Sequence, residues 1–218
     1  MYHLMLIAIL MLIPLQELHA QTEEKRMTTP LIEAAENNDI VAIEQLLLQG
    51  NLIDERDAKG RTALLAATHA ARIEAADLLI SKGADVNAKD SIQDSPYLYA
   101  AAEGPVEILV MTLTAGADLK STNRYGGTGL IPASHHGLID NVKVLLETGI
   151  NIDHINDLHW TALLEAIILG DGGPVYIEIV RLLVNAGADR SIADNDGMSP
   201  LAHAERMGYD KIAELLEG

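Results

Sequence analysis

Small and aliphatic residues return along this chain in fixed columns, 33 residues apart. A Thr or Ser stands at Thr29, Thr62, Ser95, Thr128 and Thr161, and a sixth at Ser199 after a step of 38. Two residues after each comes Leu31, Leu64, Tyr97, Leu130, Leu163 or Leu201. Five after each comes Ala34, Ala67, Ala100, Ala133, Ala166 or Ala204. A turn glycine follows at Gly50, Gly83, Gly116, Gly149 and Gly187. Each hydroxyl is placed to accept a hydrogen bond from the free amides of a first helical turn. Pro30, Pro96 and Pro200 fill the next position, where a missing amide costs nothing. The pattern predicts six units, each an Ala-rich inner helix, a tight turn, an outer helix and a closing glycine. A period near 33 residues, in units too small to bury their own apolar faces, is the mark of a stacked solenoid.

The unit resembles the ankyrin repeat. TTPLIEAA, GRTALLAA and GMSPLAHA match its helix start, and KGADVNAKD, AGADLKSTN and AGADRSIAD match its Gly-Ala-Asp tail. The resemblance covers residues 27–218. It implies an all-α solenoid of about six helix-turn-helix units joined by β-hairpin loops, and partner binding along the concave side formed by hairpin tips and inner helices. It implies no particular activity. The segments STNRYGGTGLIPASHHG and WTALLEAIILGDGG look like those of a bacterial group of single-domain ankyrin proteins. One column departs from the family. The His of its usual Thr-Pro-Leu-His start is replaced by Ile32, Leu65, Leu98, Ile131, Leu164 and Ala202, so apolar contact is expected where that His would form a hydrogen-bond bridge.

Residues 1–20 lie outside the repeat register. Leu4 to Ile13 is an unbroken apolar run, too short to span a bilayer, and Leu18-His19-Ala20 follows Pro14 and a polar stretch. This layout predicts a secretory signal cleaved after Ala20, with an uncleaved anchor as the alternative. Residues 21–28 form a polar linker, and 29–218 the repeat domain. Export would place the chain in a periplasm or outside the cell. The first unit, with its polar Glu36-Asn37-Asn38-Asp39 turn, and the last, with charged residues facing outward, read as caps. Asn38 takes the slot of Gly104, Gly137, Gly170 and Gly208, and Ala71 is the misfit there. The fifth unit is five residues longer, which assigns an inserted loop to Gly170-Asp171-Gly172-Gly173-Pro174.

Composition narrows the function classes. The chain has no Cys and no Phe, and 49% of its residues are hydrophobic, so stability rests on thin aliphatic layers. With 15 Lys and Arg against 32 Asp and Glu, its surface repels phosphate backbones and anionic lipid. Nucleic acid and membrane are therefore poor partners for the mature chain, which is expected to be a monomer.

The exposed face of each inner helix is assigned to positions four, seven and eight after the Thr or Ser. In units three to five these columns and the adjacent hairpins gather Tyr99, Glu103, Arg124, Tyr125, His135, His136, Trp160 and Glu165, with Asp171 at the edge. Aromatic residues beside Arg and a carboxylate have the composition of a binding hot spot. Trp160 and Tyr125 packing locally on the next hairpin is the competing explanation. Tyr97, in the Leu column, is assigned to the core. Adjacent His135 and His136 point about 100 degrees apart on a helix and seldom share a metal ion. No nucleophile elbow, phosphate loop or metal spacing is legible, and Ser134, His135 and Asp171 make a poor triad. The expectation is a non-enzymatic module, without cofactor or metal, that binds a partner protein or peptide. The alternative is a small-molecule receptor or hydrolytic enzyme whose site lies under residues 170–174.

Overall fold

The computed structural model describes residues 29–217, so the export signal and linker assigned to 1–28 lie outside the described residues. Twelve helices in six pairs run through the described part, and no strand is found there. The pairs are α1 (Pro30–Glu36) with α2 (Ile40–Leu48), α3 (Ala63–His69) with α4 (Ile73–Ser81), and α5 (Pro96–Ala102) with α6 (Val106–Thr114). They continue with α7 (Leu130–His135) and α8 (Ile139–Leu146), α9 (Ala162–Ile168) and α10 (Pro174–Asn185), and α11 (Pro200–Met207) and α12 (Asp210–Glu217). Inner helices α1, α3, α5, α7, α9 and α11 pack in sequence, as do the six outer ones. The solenoid expected from the 33-residue period is the fold.

The repeated columns supply its core. The Ala column is buried in all six units, which lets successive inner helices approach closely. The column that replaces the family's His is also buried at Ile32, Leu65, Leu98, Ile131 and Leu164. Each such aliphatic side chain contributes about 1.5 to 3 kcal/mol on burial.

Five of the six hydroxyls cap their helices as expected. Thr29, Thr62, Ser95, Thr161 and Ser199 accept from the amides of Ile32, Leu65, Leu98, Leu164 and Ala202 at 3.2 to 3.3 Å. The fourth unit departs. Helix α7 starts after Gly129, and the buried Thr128 hydroxyl has no hydrogen-bond partner. Tyr97, fully buried in the Leu column as expected, fills the space in front of that helix start. A Cβ at position 129 would lie 3.0 Å from its hydroxyl and 2.9 Å from the Ala101 methyl. A large residue in one unit is thus matched by a glycine in the next.

The turn between helices is left-handed at Asn38 (φ 57°), Ala71 (φ 54°), Gly137 (φ 74°) and Gly208 (φ 70°). Ala71 carries the steric cost of about 1 to 2 kcal/mol that an alanine meets there. Gly104 and Gly170 share the slot but have no positive φ. Pro105 biases the residue before it toward extended backbone.

The long fifth unit is built differently from the expectation of an inserted loop. Pro174 is the first residue of α10, whose 12 residues exceed the 8 or 9 of α2, α4, α6 and α8. Part of the extra length therefore extends the outer helix. The remainder is clamped by two tyrosines. A Cβ at Gly170 would come within 2.6 Å of the Tyr176 ring, and one at Gly172 within 2.4 Å of the Tyr209 ring. The Tyr176 hydroxyl donates to the His135 carbonyl at 2.8 Å, and that of Tyr209 to the Gly170 carbonyl at 3.1 Å.

Candidate functional site

One side chain shapes each hairpin. Asp57, Asp90, Asn123, Asn156 and Asp194 each use Oδ1 to accept the amides two and four residues ahead, at 2.8 to 3.0 Å. The main chain closes the same turn, as where the Asn156 amide donates to the Trp160 carbonyl at 3.1 Å. Backbone bonds also tie one tip to the next, Ser91 to Lys59 and Asp157 to Tyr125, both at 3.0 Å. The expected hairpin loops are therefore tight turns without a strand ladder, and they hold their tip residues in fixed positions.

In two units the second polar atom of the hairpin head meets its own inner helix. In the last unit Asp194 Oδ2 lies 2.7 Å from His203 Nε2, nine residues on. In the fifth unit Asn156 Nδ2 donates to Glu165 Oε1 at 2.8 Å, across the same separation. An aspartate at 156 would set two carboxylates face to face, so the amide is what admits a glutamate at 165.

These contacts correct one part of the sequence reading. The column four residues after the Thr or Ser was expected to be exposed, yet Ala66, Pro132, Glu165 and His203 are buried and Tyr99 is half-buried. The head of the hairpin bonds to that position in units five and six, and only Glu33 of the first unit is exposed there.

Units three to five enclose a cavity of about 390 Å³. Seven of the nine expected binding residues line it: Tyr99, Glu103, Arg124, Tyr125, His135, His136 and Glu165. Trp160 and Asp171 do not. Trp160 is half-buried and its amide closes the hairpin. Asp171 is exposed and its carboxylate accepts the Gly173 amide at 2.7 Å. Residues 170–174 contribute nothing to the lining, so the cavity is not the site beneath the insertion that the alternative reading required. Asp94, Asn123, Asn156, Leu158 and Leu169 line it as well and were not singled out in the sequence. Asn156 was legible only as turn chemistry. Its pairing with Glu165 depends on the inner helix returning beneath the hairpin.

Glu165 has the most unusual environment in this cavity. Only 6% of the residue is exposed, and burial pushes its carboxyl up to about 7 against the Asn156 hydrogen bond and the His136 charge. Its Oε2 lies 3.7 Å from His135 Nδ1, too far for a hydrogen bond. Burial and the neighbouring His136 push His135 down, which favours its neutral form. His136 Nδ1 donates to the Ala102 carbonyl at 2.6 Å. Across the cavity the Arg124 guanidinium stands 3.7 Å from Asp94 and 4.9 Å from the centre of the Tyr125 ring. Burial raises Asp94, with Arg124 opposing it. Tyr99 stacks at a tilt on His69, with ring centres 4.0 Å apart.

Ser134 is buried and its hydroxyl donates to the Leu130 carbonyl at 2.8 Å, so it is not presented as a nucleophile. No trio of His, Asp and Glu among the described residues has metal-ligand spacing. No helix among them is long and apolar enough to cross a membrane.

Known proteins place this architecture. The family described as ankyrin repeats (3 copies) matches residues 4–90 and 97–189, the first range taking in much of the segment assigned to export. A solved ankyrin repeat domain from Acinetobacter baumannii AYE is 58% identical, with a TM-score of 0.84 over 86% of this chain and 96% of that one. The solved ankyrin repeat protein EF0377 is 46% identical, with a TM-score of 0.83 over the same shares. YahD of Escherichia coli (strain K12), a curated relative named for ankyrin repeats, is 46% identical over 61 residues. That match spans 28% of this chain and 30% of YahD. With most of its length matched by the family and its stacked helix pairs shared with solved members, this chain belongs to the ankyrin repeat family.

Proposed function

We propose that the chain binds a partner protein or peptide across the concave side of units three to five, with the Glu165 cavity as the anchor point. Ankyrin repeats are protein-interaction modules. The observation that carries the finer reading is the convergence of seven expected residues on one cavity. Its rim extends to the exposed side chains of Tyr125, Leu158 and Leu169. Aromatic anchors and an Arg around a desolvated centre are the usual makings of an energetic hot spot. The cavity volume also lies within the small-molecule range, which keeps a small-ligand receptor as the second reading.

The test is capture from the native cell envelope by the domain and by a Y99A/Y125A/E165Q variant. The variant should lose the partner while keeping the helical circular dichroism of the wild type. Undiminished capture would overturn the proposed face. The same reading takes residues 1–20 as an export signal, so the mature protein should be periplasmic or secreted and begin at Gln21. Recovery of a cytosolic chain beginning at Met1 would overturn export. We expect the mature domain to sediment as a monomer.

A further inference from the structure

The cavity sets three carboxylates, Asp94, Glu103 and Glu165, against a single guanidinium, that of Arg124. Arg124 is already engaged with Asp94 and lies over the Tyr125 ring. Glu165 is more than nine-tenths buried, and Asn156 occupies its Oε1. No donor among the described residues reaches Oε2 within hydrogen-bond distance, His135 standing 3.7 Å away. Oε2 therefore opens on the cavity, where an incoming donor or cation can meet it in place of solvent.

Resting on the reading that this cavity anchors a partner, we propose that it receives a lysine side chain of that partner, with its ammonium on Glu165 Oε2 and its alkyl stem against Tyr99 and Tyr125. The single free oxygen favours an ammonium over a guanidinium, since the guanidinium fork is best met by two oxygens side by side. The rim favours a polypeptide over a free amine. Tyr125, Leu158 and Leu169 are 55%, 50% and 42% exposed and offer apolar contact to residues flanking the lysine. The formal net charge of −17 draws a basic partner toward the domain.

Binding of this kind displaces a proton from Glu165 to solvent whenever the carboxyl holds one. The groups around it act in the same direction. His135 faces it from the end of α7, His136 follows just past that helix with its Nδ1 on the Ala102 carbonyl, and Asn156 reaches it from the hairpin. On the side of α11, His203 is tied to Asp194 and Arg206. Acidification protonates Glu165 and then charges His135, whose own titration is pushed lower, and both changes oppose an incoming cation.

The experiment is amide NMR titration of the repeat domain with n-butylammonium, n-butylguanidinium, butyrate, and short Gly-Ser peptides carrying one central Lys or Gln. Butylammonium should shift the amides of 98–103, 131–136 and 164–169 and bind more tightly than butylguanidinium. The Lys peptide should bind more tightly still, and the Gln peptide and butyrate should leave these amides unmoved. E165Q, which keeps the oxygen that Asn156 meets, should weaken the Lys peptide about thirtyfold. In the wild type the affinity should fall by up to about tenfold per pH unit below about 7, and E165Q should lose most of that dependence. The wild-type pH profile serves as a readout independent of any variant. Preference for butyrate, for butylguanidinium or for the Gln peptide overturns the assignment, as does a pH-independent affinity. Butylammonium binding as tightly as the Lys peptide overturns the polypeptide half and points to a free amine. Lost capture by the Y99A/Y125A/E165Q variant without ammonium preference removes only this assignment, whereas undiminished capture removes the binding face beneath it.

Discussion

Units five and six answer the same structural question in opposite ways. Each has a hairpin head that must pair with the inner-helix residue nine positions later. In unit six the pair is Asp194 with His203, and Arg206 meets the other imidazole nitrogen at 3.2 Å, so the polar groups close on one another. In unit five the pair is Asn156 with Glu165, and a carboxylate oxygen is left facing a cavity. The comparison separates a polar cluster that completes itself from one that lacks a partner. Burial alone does not mark a site; burial with an unmet atom beside open volume does.

The largest effect should come from breaking the closed pair. H203A removes a buried imidazole together with its bonds to Asp194 and Arg206 and should lower unfolding stability more than any other substitution described below, measured by urea denaturation. E165Q should do the reverse. Because the folded carboxyl titrates near 7 and its ordinary value is 4.5, the folded state retains a proton that the unfolded state has released between those values. Glu165 therefore removes stability as pH rises from about 4.5 to about 7. E165Q should be about 2 kcal/mol more stable than wild type at pH 8 and nearly equal to it at pH 4. An E165Q domain less stable than wild type at pH 8 would mean that the carboxylate is already satisfied.

Much of this architecture was legible because it depends on local chemistry repeated in register. The hydroxyl caps, the small Ala column and the glycine ends each require a residue type at a fixed spacing. The fold followed from them without any long-range knowledge. The failures have a different cause. Thr128 carries the capping residue type, yet Tyr97 of the preceding unit occupies the space before its helix. Asp171 was placed at the edge of the binding region because it lies among the glycines of the longer fifth unit. Tyr176 and Tyr209, remote in sequence, take up the space those glycines leave. Glu165 was read as an exposed position of the inner helix, whereas a hairpin head bonds to it and leaves it buried at the cavity wall. Such cross-unit contacts leave no periodic mark.

Two smaller predictions sharpen the contrast between units. T161A should cost about 1 kcal/mol by removing a helix cap. T128V should cost nothing or stabilise slightly, since the buried hydroxyl it removes has no partner. Thermal unfolding of the two variants side by side checks this, and equal losses would contradict it. A71G relieves the left-handed alanine of unit two and should add up to about 1 kcal/mol. It should leave the pH dependence attributed to Glu165 unchanged, which makes it the control for the E165Q experiment.

The most direct measurement is hydrogen–deuterium exchange of the domain with and without its captured partner. Exchange should slow in three separated stretches, 94–103, 123–136 and 156–169, which come together around the cavity. Protection confined to units one and two, or to the outer helices, would contradict it.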